Sequence, residues 1–170
     1  PHTPGPVHVD VADMDGDGDS DLLVACMGIV FPTKEAVGSV LVLENRGIGD
    51  FAMHVLLENT ERVTDLRSGD FDGDGDLDLA VGQFGYDEGA VRWLENEGEW
   101  NFRTHDLLNL SGTVHIPVDD YDQDGDLDIA VIVSQEWEEL YLFSNDGEGR
   151  FKKTKLYGST NEDFGSSGLI

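Results

Sequence analysis

Three stretches of the chain place aspartates at every second position and then become apolar. They read DMDGDGDSD from Asp13, DFDGDGDLD from Asp70 and DYDQDGDLD from Asp120. Alternate side chains of a tight loop point inward, so their carboxylate oxygens would surround one point. Such charges repel one another strongly beside a packed sheet unless a cation lies between them. The spacing therefore predicts three cation-binding loops.

The register within each loop assigns the ligands. With the first Asp as position 1, Asp occupies positions 1, 3, 5, 7 and 9, and Gly occupies position 6 in all three copies. An EF-hand loop also begins with ligands at 1, 3 and 5 and a backbone carbonyl at 7, with Gly at 6 for its sharp turn. Hard oxygen ligands in a flexible loop favour Ca²⁺ over Mg²⁺, so we expect about three Ca²⁺ ions per chain. The alternative is an acidic turn without a metal, which needs neither three copies nor a fixed Gly.

The expected ligands fall into two groups. Side chains at positions 1, 3, 5 and 9 would bind the ion, namely Asp13, Asp15, Asp17, Asp21, Asp70, Asp72, Asp74, Asp78, Asp120, Asp122, Asp124 and Asp128. Position 7 would contribute a backbone carbonyl and point its side chain to solvent, at Asp19, Asp76 and Asp126.

The loops belong to a longer repeat. Their first aspartates are 57 and 50 residues apart, and an Asn-x-Gly turn recurs in phase at Asn45, Asn96 and Asn145. Each unit reads as four short strands separated by Gly- and Asn-rich turns, as hairpins require. The runs after the loops are apolar at consecutive positions, which is typical of a strand buried on both faces.

This pattern predicts an all-β chain, a β-propeller built from four-stranded antiparallel blades. We assign residues 1–62 to blade 1, 63–112 to blade 2, 113–160 to blade 3 and 161–170 to the first strand of a following blade. Three blades are too few to close a ring, because propellers typically have four to eight. We expect part of a larger, seven-bladed propeller, or a subunit whose partner supplies the remaining blades.

The loops and the LAVG and IAV runs that follow them resemble FG-GAP repeats. These are the calcium-binding blades of integrin alpha-subunit propellers, and they also occur as VCBS-type repeats in bacterial surface proteins. The turn WLEN-x-G is similar to the bacterial version, and the resemblance covers nearly the whole chain. It implies a propeller with calcium loops. It does not imply the function of an integrin, because a fold does not fix a function.

Charge narrows the range of partners. The formal net charge is −26 over 170 residues, and fifteen of the 36 acidic residues lie in the three loops. Nucleic acid and anionic membranes are poor partners for such a surface. No apolar run approaches the length of a membrane span. The single cysteine, Cys26, forms no internal disulfide and leaves the cellular compartment open.

Residues outside the loops could also bind a ligand. His8, Asp65 and His115 each lie five residues before a loop and should line the central channel. A second metal site or a catalytic pair competes there with polar packing, which we favour. Tyr86 and Trp137 should lie at equivalent blade tips, where they could contact a sugar or a protein or simply pack between blades.

The sequence thus favours a non-catalytic, calcium-binding propeller module that binds a protein or glycan, mediates adhesion or scaffolds an assembly. We expect it outside the cytoplasm, as an extracellular, cell-surface or periplasmic protein. The alternative is the propeller part of an enzyme, such as a polysaccharide lyase or hydrolase. A cytosolic calcium sensor ranks last, because it needs a bistable element that calcium opens.

Overall fold

The computed structural model describes residues 5–30, 34–85, 88–135 and 138–158, which form three antiparallel sheets and no helix. Blade 1 contains β1 (Pro6–Ala12), β2 (Asp21–Cys26), β3 (Gly38–Asn45) and β4 (Phe51–Thr60). Blade 2 contains β5 (Arg62–Gly69), β6 (Asp78–Phe84), β7 (Ala90–Asn96) and β8 (Phe102–Asn109). Blade 3 contains β9 (Thr113–His115), β10 (Val118–Asp119), β11 (Asp128–Ser134), β12 (Glu138–Ser144) and β13 (Lys152–Gly158). Tyr86, Trp137 and the predicted strand at 161–170 lie outside the described residues.

Each blade is a meander in which successive strands are hydrogen-bonded neighbours. The predicted all-β fold of four-stranded antiparallel blades is therefore confirmed. Blade 3 departs from the pattern, because its inner strand is split into β9 and β10, which both pair with β11. Pro117 lies at the break and has no N–H to donate to the ladder. Its carbonyl still accepts a hydrogen bond from Ala130 N–H at 3.0 Å, which keeps the two short strands aligned.

Successive blades pack face to face, and this explains the consecutive apolar residues after each loop. In β6, Leu79 and Val81 belong to the core shared with blade 1, whereas Ala80 belongs to the core shared with blade 3. The blade 1–2 core contains Leu23, Ala25, Val40, Val42, Leu66, Leu79, Val81 and Leu94. The blade 2–3 core contains Ala80, Val91, Trp93, Ile116, Ile129, Val131 and Phe143. A strand buried on both faces needs apolar residues at every position.

One face of blade 1 has no neighbouring blade among the described residues. Val9 is 50% exposed, whereas the residues at the same place before the other loops, Leu66 and Ile116, are fully buried. Blade 3 shows the converse at the second position of its loop. Tyr121 is 42% exposed there, whereas the equivalent Phe71 is fully buried beneath blade 3. Both outer faces of the three-blade stack therefore present positions that neighbouring blades cover elsewhere in the chain.

The described part of the chain contains no helix that is long and apolar enough to cross a membrane.

Candidate metal centres

Each acidic loop connects the innermost strand of a blade to its second strand. The loops lie between β1 and β2, between β5 and β6, and between β10 and β11, and the ninth-position Asp begins the second strand each time. The sixth-position glycines have φ values of +95°, +97° and +104°, at Gly18, Gly75 and Gly125. Residues that carry a Cβ rarely adopt these φ values, so the predicted register of the loop depends on glycine at position 6.

The three loops share one internal hydrogen-bond pattern. The sixth-position N–H donates to the first-position carboxylate at 3.0, 3.1 and 3.1 Å in loops 1, 2 and 3. The seventh-position N–H donates to the fifth-position carboxylate at 2.8, 2.9 and 3.0 Å. These two bonds recur in all three loops, whereas the fifth-position N–H donates to the third-position carboxylate in loops 1 and 2 and to the first-position carboxylate in loop 3.

Carboxylate oxygens converge within each loop. Oxygens within 4.8 Å of one another come from Asp13, Asp15 and Asp17 in loop 1, from Asp70, Asp72 and Asp74 in loop 2, and from Asp120, Asp122 and Asp128 in loop 3. The Oδ1 atom of Asp13 is buried and has no hydrogen-bond partner. A buried, unpaired carboxylate oxygen is costly unless it meets a cation. Converging hard oxygens are the donor set that Ca²⁺ takes, so these residues fit the ion.

The ninth-position aspartates also serve as clamps. Asp21, Asp78 and Asp128 are at most 1% exposed, and each accepts two backbone hydrogen bonds. One donor is the N–H of the second loop residue, at 2.9, 3.3 and 3.0 Å. The other is the N–H of the Asn that begins the turn after the third strand, at 2.8, 2.7 and 2.9 Å. The carboxylate thus ties the loop to the end of the third strand, beyond the ligand role that the sequence predicts.

The recurring Asn completes this clamp from its own side. Its side-chain amide donates to the carbonyl of the eighth loop residue at 3.2 Å for Asn45, 3.1 Å for Asn96 and 3.3 Å for Asn145. Sequence reasoning found this Asn as a repeat marker and did not assign it a contact with the loop. The signal was its recurrence in phase with the loops.

The seventh-position side chains differ among the copies. Asp19 and Asp76 are exposed, as we expected for a position that offers its carbonyl. Asp126 is half-buried, and its carboxylate lies against Gly147, where a Cβ would come within 2.6 Å of Oδ1. This placement differs from the solvent-facing one that we expected, because the turn of the same blade folds over the loop.

Burial alters the acidity of the loop carboxyls. Burial raises the pKa of Asp78 to about 6, although hydrogen bonds from Asn96, Trp93 and Phe71 oppose the rise. Desolvation is also the largest cause that raises the pKa of Asp15 and Asp72, and neighbouring carboxylates raise it further. These raised pKa values indicate that the ionised form of the carboxyls is disfavoured without a cation. A bound cation would favour the ionised carboxylates.

The three residues predicted to line the channel meet in the structure. Asp65 is buried and accepts hydrogen bonds from His115 Nδ1 at 2.6 Å and from Ile116 N–H at 2.9 Å. His8 Nε2 lies 3.4 Å from Asp65 Oδ1 and 2.9 Å from Arg67 Nη1. Because a guanidinium only donates, His8 Nε2 accepts this bond.

Arg67 is a member of this cluster that sequence reasoning missed. It lies two residues after Asp65 in β5, so it points to the same side of the sheet, and its Nη2 is 3.4 Å from Asp65 Oδ1. Its fixed positive charge opposes a second cation at this place. The cluster is thus a polar network that joins the inner strands of three successive blades.

Three packed blades with an acidic loop between the first two strands of each define the chain as a propeller-type repeat protein. Residues 70–131 match the family of FG-GAP-like repeats. The match begins at the first residue of loop 2 and includes all of loop 3, so this part of the chain is similar to FG-GAP-like repeats. Loop 1 lies outside the match and forms the same internal hydrogen bonds. No curated protein matched the chain.

Proposed function

We propose that this chain is a calcium-binding, non-catalytic propeller module that serves outside the cytoplasm, where it binds a protein or glycan, mediates adhesion or scaffolds an assembly. The observation that carries the calcium part is the convergence of three carboxylates in each loop, together with the buried and unpaired Oδ1 of Asp13. A repeat that only needed an acidic turn would leave this oxygen in water or give it a donor.

The role of calcium follows from what the loops connect. The ion would neutralise the carboxylates at positions 1, 3 and 5 of loops 1 and 2, and those at positions 1, 3 and 9 of loop 3. The ninth-position Asp extends each loop to the third strand of its blade through backbone hydrogen bonds. Binding energy at the loop would therefore become folding energy of the blade.

Two observations support a location outside the cytoplasm. FG-GAP-type repeats typically occur in extracellular or surface proteins. The fifth-position Asp17, Asp74 and Asp124 are exposed, so the loops are open to solvent. Open loops suit the weak affinities of extracellular calcium modules, about 10⁻⁴–10⁻³ M.

The free face of blade 1 suits a further blade of the same kind. Val7, Val9 and Val11 of β1 are 45%, 50% and 56% exposed on this face, and the apolar row continues from Val9 through Val24 and Leu41, which are already buried. Leu66 and Val81 form the equivalent row in blade 2, where blade 1 covers them. We therefore propose that the remaining blades of a propeller, in the same chain or in a partner subunit, cover this face.

Thermal unfolding in calcium and in excess EGTA, combined with calorimetric titration of calcium, tests the proposal. We expect about three bound ions per chain and a clear loss of stability on chelation. Replacement of Asp13, Asp15 and Asp17 together by Asn should remove one ion and leave two. Magnesium at the same concentration is the control, since it demands a stricter octahedron and should stabilise the chain less. Absence of both calcium binding and a stability change would refute the proposal.

A second candidate function is the propeller part of a polysaccharide-acting lyase or hydrolase. The Asp65–His115 pair favours it, because a buried carboxylate on Nδ1 orients an imidazole so that Nε2 can accept a proton. Incubation of the chain with neutral and uronic polysaccharides, followed by detection of new reducing ends or unsaturated products, tests this idea. Product formation that persists in His8→Ala and His115→Ala would exclude these residues as the catalytic pair.

A further inference from the structure

Loop 2 has a contact that the other loops lack. The indole Nε1–H of Trp93 donates to Asp78 Oδ2 at 2.9 Å, and Trp93 is only 5% exposed. Trp93 lies three residues before the recurring Asn, and the residues at this place in the other blades are Val42 and Leu142. Neither side chain has a polar hydrogen. The ninth-position carboxylate of loop 2 therefore has an additional donor, supplied by the third strand.

The indole changes how the loop is held. Asp78 Oδ2 also accepts from Phe71 N–H at 3.3 Å, whereas the corresponding bonds measure 2.9 Å in loop 1 and 3.0 Å in loop 3. The carboxylate of Asp78 is thus shared between the loop backbone and the indole. Its orientation in the fully packed blade depends on both donors.

The same ring contacts blade 3. It stacks on His105 of its own blade, with ring centroids 4.4 Å apart and an interplanar angle of 19°. Phe151 approaches its edge from blade 3 at 5.9 Å and 65°. Gly149 lies so close to the ring that only a glycine fits there. Gly149 and Phe151, in the turn that precedes the outer strand of blade 3, therefore pack against the indole ring.

Loop 2 also contacts this turn directly. The carbonyl of Phe71, the second loop residue, accepts hydrogen bonds from Gly149 N–H at 3.0 Å and from Asn145 Nδ2 at 2.7 Å. Phe71 itself is fully buried and packs edge-on against Phe151. A movement of loop 2 would consequently reach blade 3 through the backbone and through the ring.

The seam between blades 1 and 2 provides a natural comparison. There Trp100 stacks on His54, with ring centroids 4.2 Å apart and an interplanar angle of 11°. Within the described residues, the Trp100 indole has no hydrogen bond to a loop aspartate, whereas the Trp93 indole does. Each tryptophan therefore stacks on a histidine at a blade seam, but only Trp93 donates a hydrogen bond to a loop aspartate among the described residues.

We propose that Trp93 is a positioning residue of loop 2, which links cation binding at that loop to the packing of blade 3. The inference rests on the proposed calcium binding. A bound ion would fix the loop carboxylates, Asp78 would hold the indole, and the indole and Phe71 would hold the turn of blade 3. Such linkage is reciprocal, so a well-packed blade 3 would also favour binding of the ion.

The first test uses the unmodified chain. Indole N–H resonances in ¹H–¹⁵N spectra would be assigned with Trp93→Phe and Trp100→Phe, and calcium would then be titrated into the wild-type chain. We expect the Trp93 indole resonance to shift strongly with saturation of one site, and the Trp100 resonance to shift less, because its indole has no hydrogen bond to a loop aspartate among the described residues. Amide exchange at Gly149 should slow on calcium addition, because its N–H is bonded to loop 2.

Calorimetric titration of the two variants separates a positioning role from simple packing. Trp93 acts through Asp78, which the sequence predicts as a ligand and which lies outside the converging set of loop 2. Loss of an outer-shell partner typically costs 10- to 100-fold in metal affinity, so we expect Trp93→Phe to weaken one site at the low end of this range, by roughly tenfold. Trp100→Phe removes the same group at the other seam and should leave the calcium affinities at wild-type values.

Two results would overturn the inference while leaving the proposed function intact. One is normal calcium binding with an unmoved Trp93 resonance, and the other is equal calcium affinities in the two variants. A wild-type chain that binds no calcium would overturn the proposed function and, with it, this linkage.

Discussion

Gly149 lies against Trp93 so closely that a Cβ on the glycine would be 2.3 Å from Cη2 of the indole. The two residues hold complementary positions at the blade 2–3 seam, one in a turn and one in a strand. At the blade 1–2 seam the sizes are exchanged, since Trp100 occupies the turn position and Val42 the strand position. Each seam thus contains one indole stacked on a histidine of an outer strand, supplied from opposite sides.

Replacing Gly149 by Ala tests this fit. The change adds a methyl group that overlaps the Trp93 ring, and overpacking typically costs about 1–3 kcal/mol. It also places a side chain at φ +69°, in the left-handed region. The matched control is Gly49→Ala in blade 1, where φ is +75° and nothing lies within 4 Å of the added Cβ.

We expect Gly49→Ala to lower the free energy of unfolding by about 1 kcal/mol through backbone strain alone. Gly149→Ala should lower it by about 1–3 kcal/mol more. Chemical denaturation of both variants measures the difference. Equal losses would mean that the turn moves away from the ring at no cost.

The strands and loops could be predicted from the sequence because they depend on local patterns. The alternation of Asp, the Gly at position 6 and the apolar runs are each contained in about ten residues, and the repeats confirm one another. The resulting strand positions and the left-handed Gly18, Gly75 and Gly125 follow from these patterns.

The contacts between blades could not be predicted in this way. Arg67 contacts His8, which is 59 positions away in the sequence, and Trp93 contacts Gly149 of the neighbouring blade. Such pairs depend on the angle and offset at which neighbouring sheets pack, which no local pattern encodes. The bond from Trp93 to Asp78 lies within blade 2, and its donor has no counterpart in the other two repeats, so the repeat pattern could not indicate it. Pro117 is a different case, since its missing N–H could have indicated the split inner strand.

Gln123 provides a second test, at position 4 of loop 3. The equivalent residues in the other loops are Gly16 and Gly73, with φ values of +74° and +76°, and Gln123 adopts φ +64°. The left-handed conformation costs a non-glycine residue roughly 1–2 kcal/mol. Glycine recovers this cost but loses about 0.4–1 kcal/mol through its freer unfolded chain.

We therefore expect Gln123→Gly to raise the free energy of unfolding by about 0.5–1 kcal/mol. The reverse change in loop 1, Gly16→Gln, should lower it by a similar amount, because nothing lies within 4 Å of the added Cβ. Denaturant titrations in calcium measure both. A loss of stability in Gln123→Gly would show that the glutamine side chain contributes a contact that outweighs its backbone strain.

Asp21 tests the clamp role of the ninth position separately from metal binding. Asp21→Ala removes the acceptor of two backbone hydrogen bonds, from Met14 and Asn45, at 2.9 and 2.8 Å. Unpaired buried donors cost about 1–3 kcal/mol each, so we expect a loss of about 2–6 kcal/mol even in EGTA. Asp19→Ala changes the same charge at an exposed position and should stay within about 0.5 kcal/mol of wild type. Denaturation in EGTA compares the two variants. Equal losses would mean that the two backbone hydrogen bonds of Asp21 do not contribute to stability.

The raised pKa values of the loop carboxyls predict opposite pH responses with and without calcium. Asp78 has an ordinary pKa of 3.8 and a folded pKa of about 6, so the stability that its protonated form contributes is present below pH 3.8 and lost as the pH rises through 6. In calcium-depleted buffer, the free energy of unfolding should therefore increase from pH 7 to pH 5. Glu44 acts outside this window, because Arg46 and His54 lower its pKa to about 2, and its contribution is lost only below its ordinary value of 4.5.

In saturating calcium the trend should reverse, since protons compete with the ion for the same carboxylates. Denaturation at both pH values, with and without calcium, measures the four stabilities. The same slope in calcium-depleted buffer and in calcium would mean that the loop carboxylates do not bind the ion.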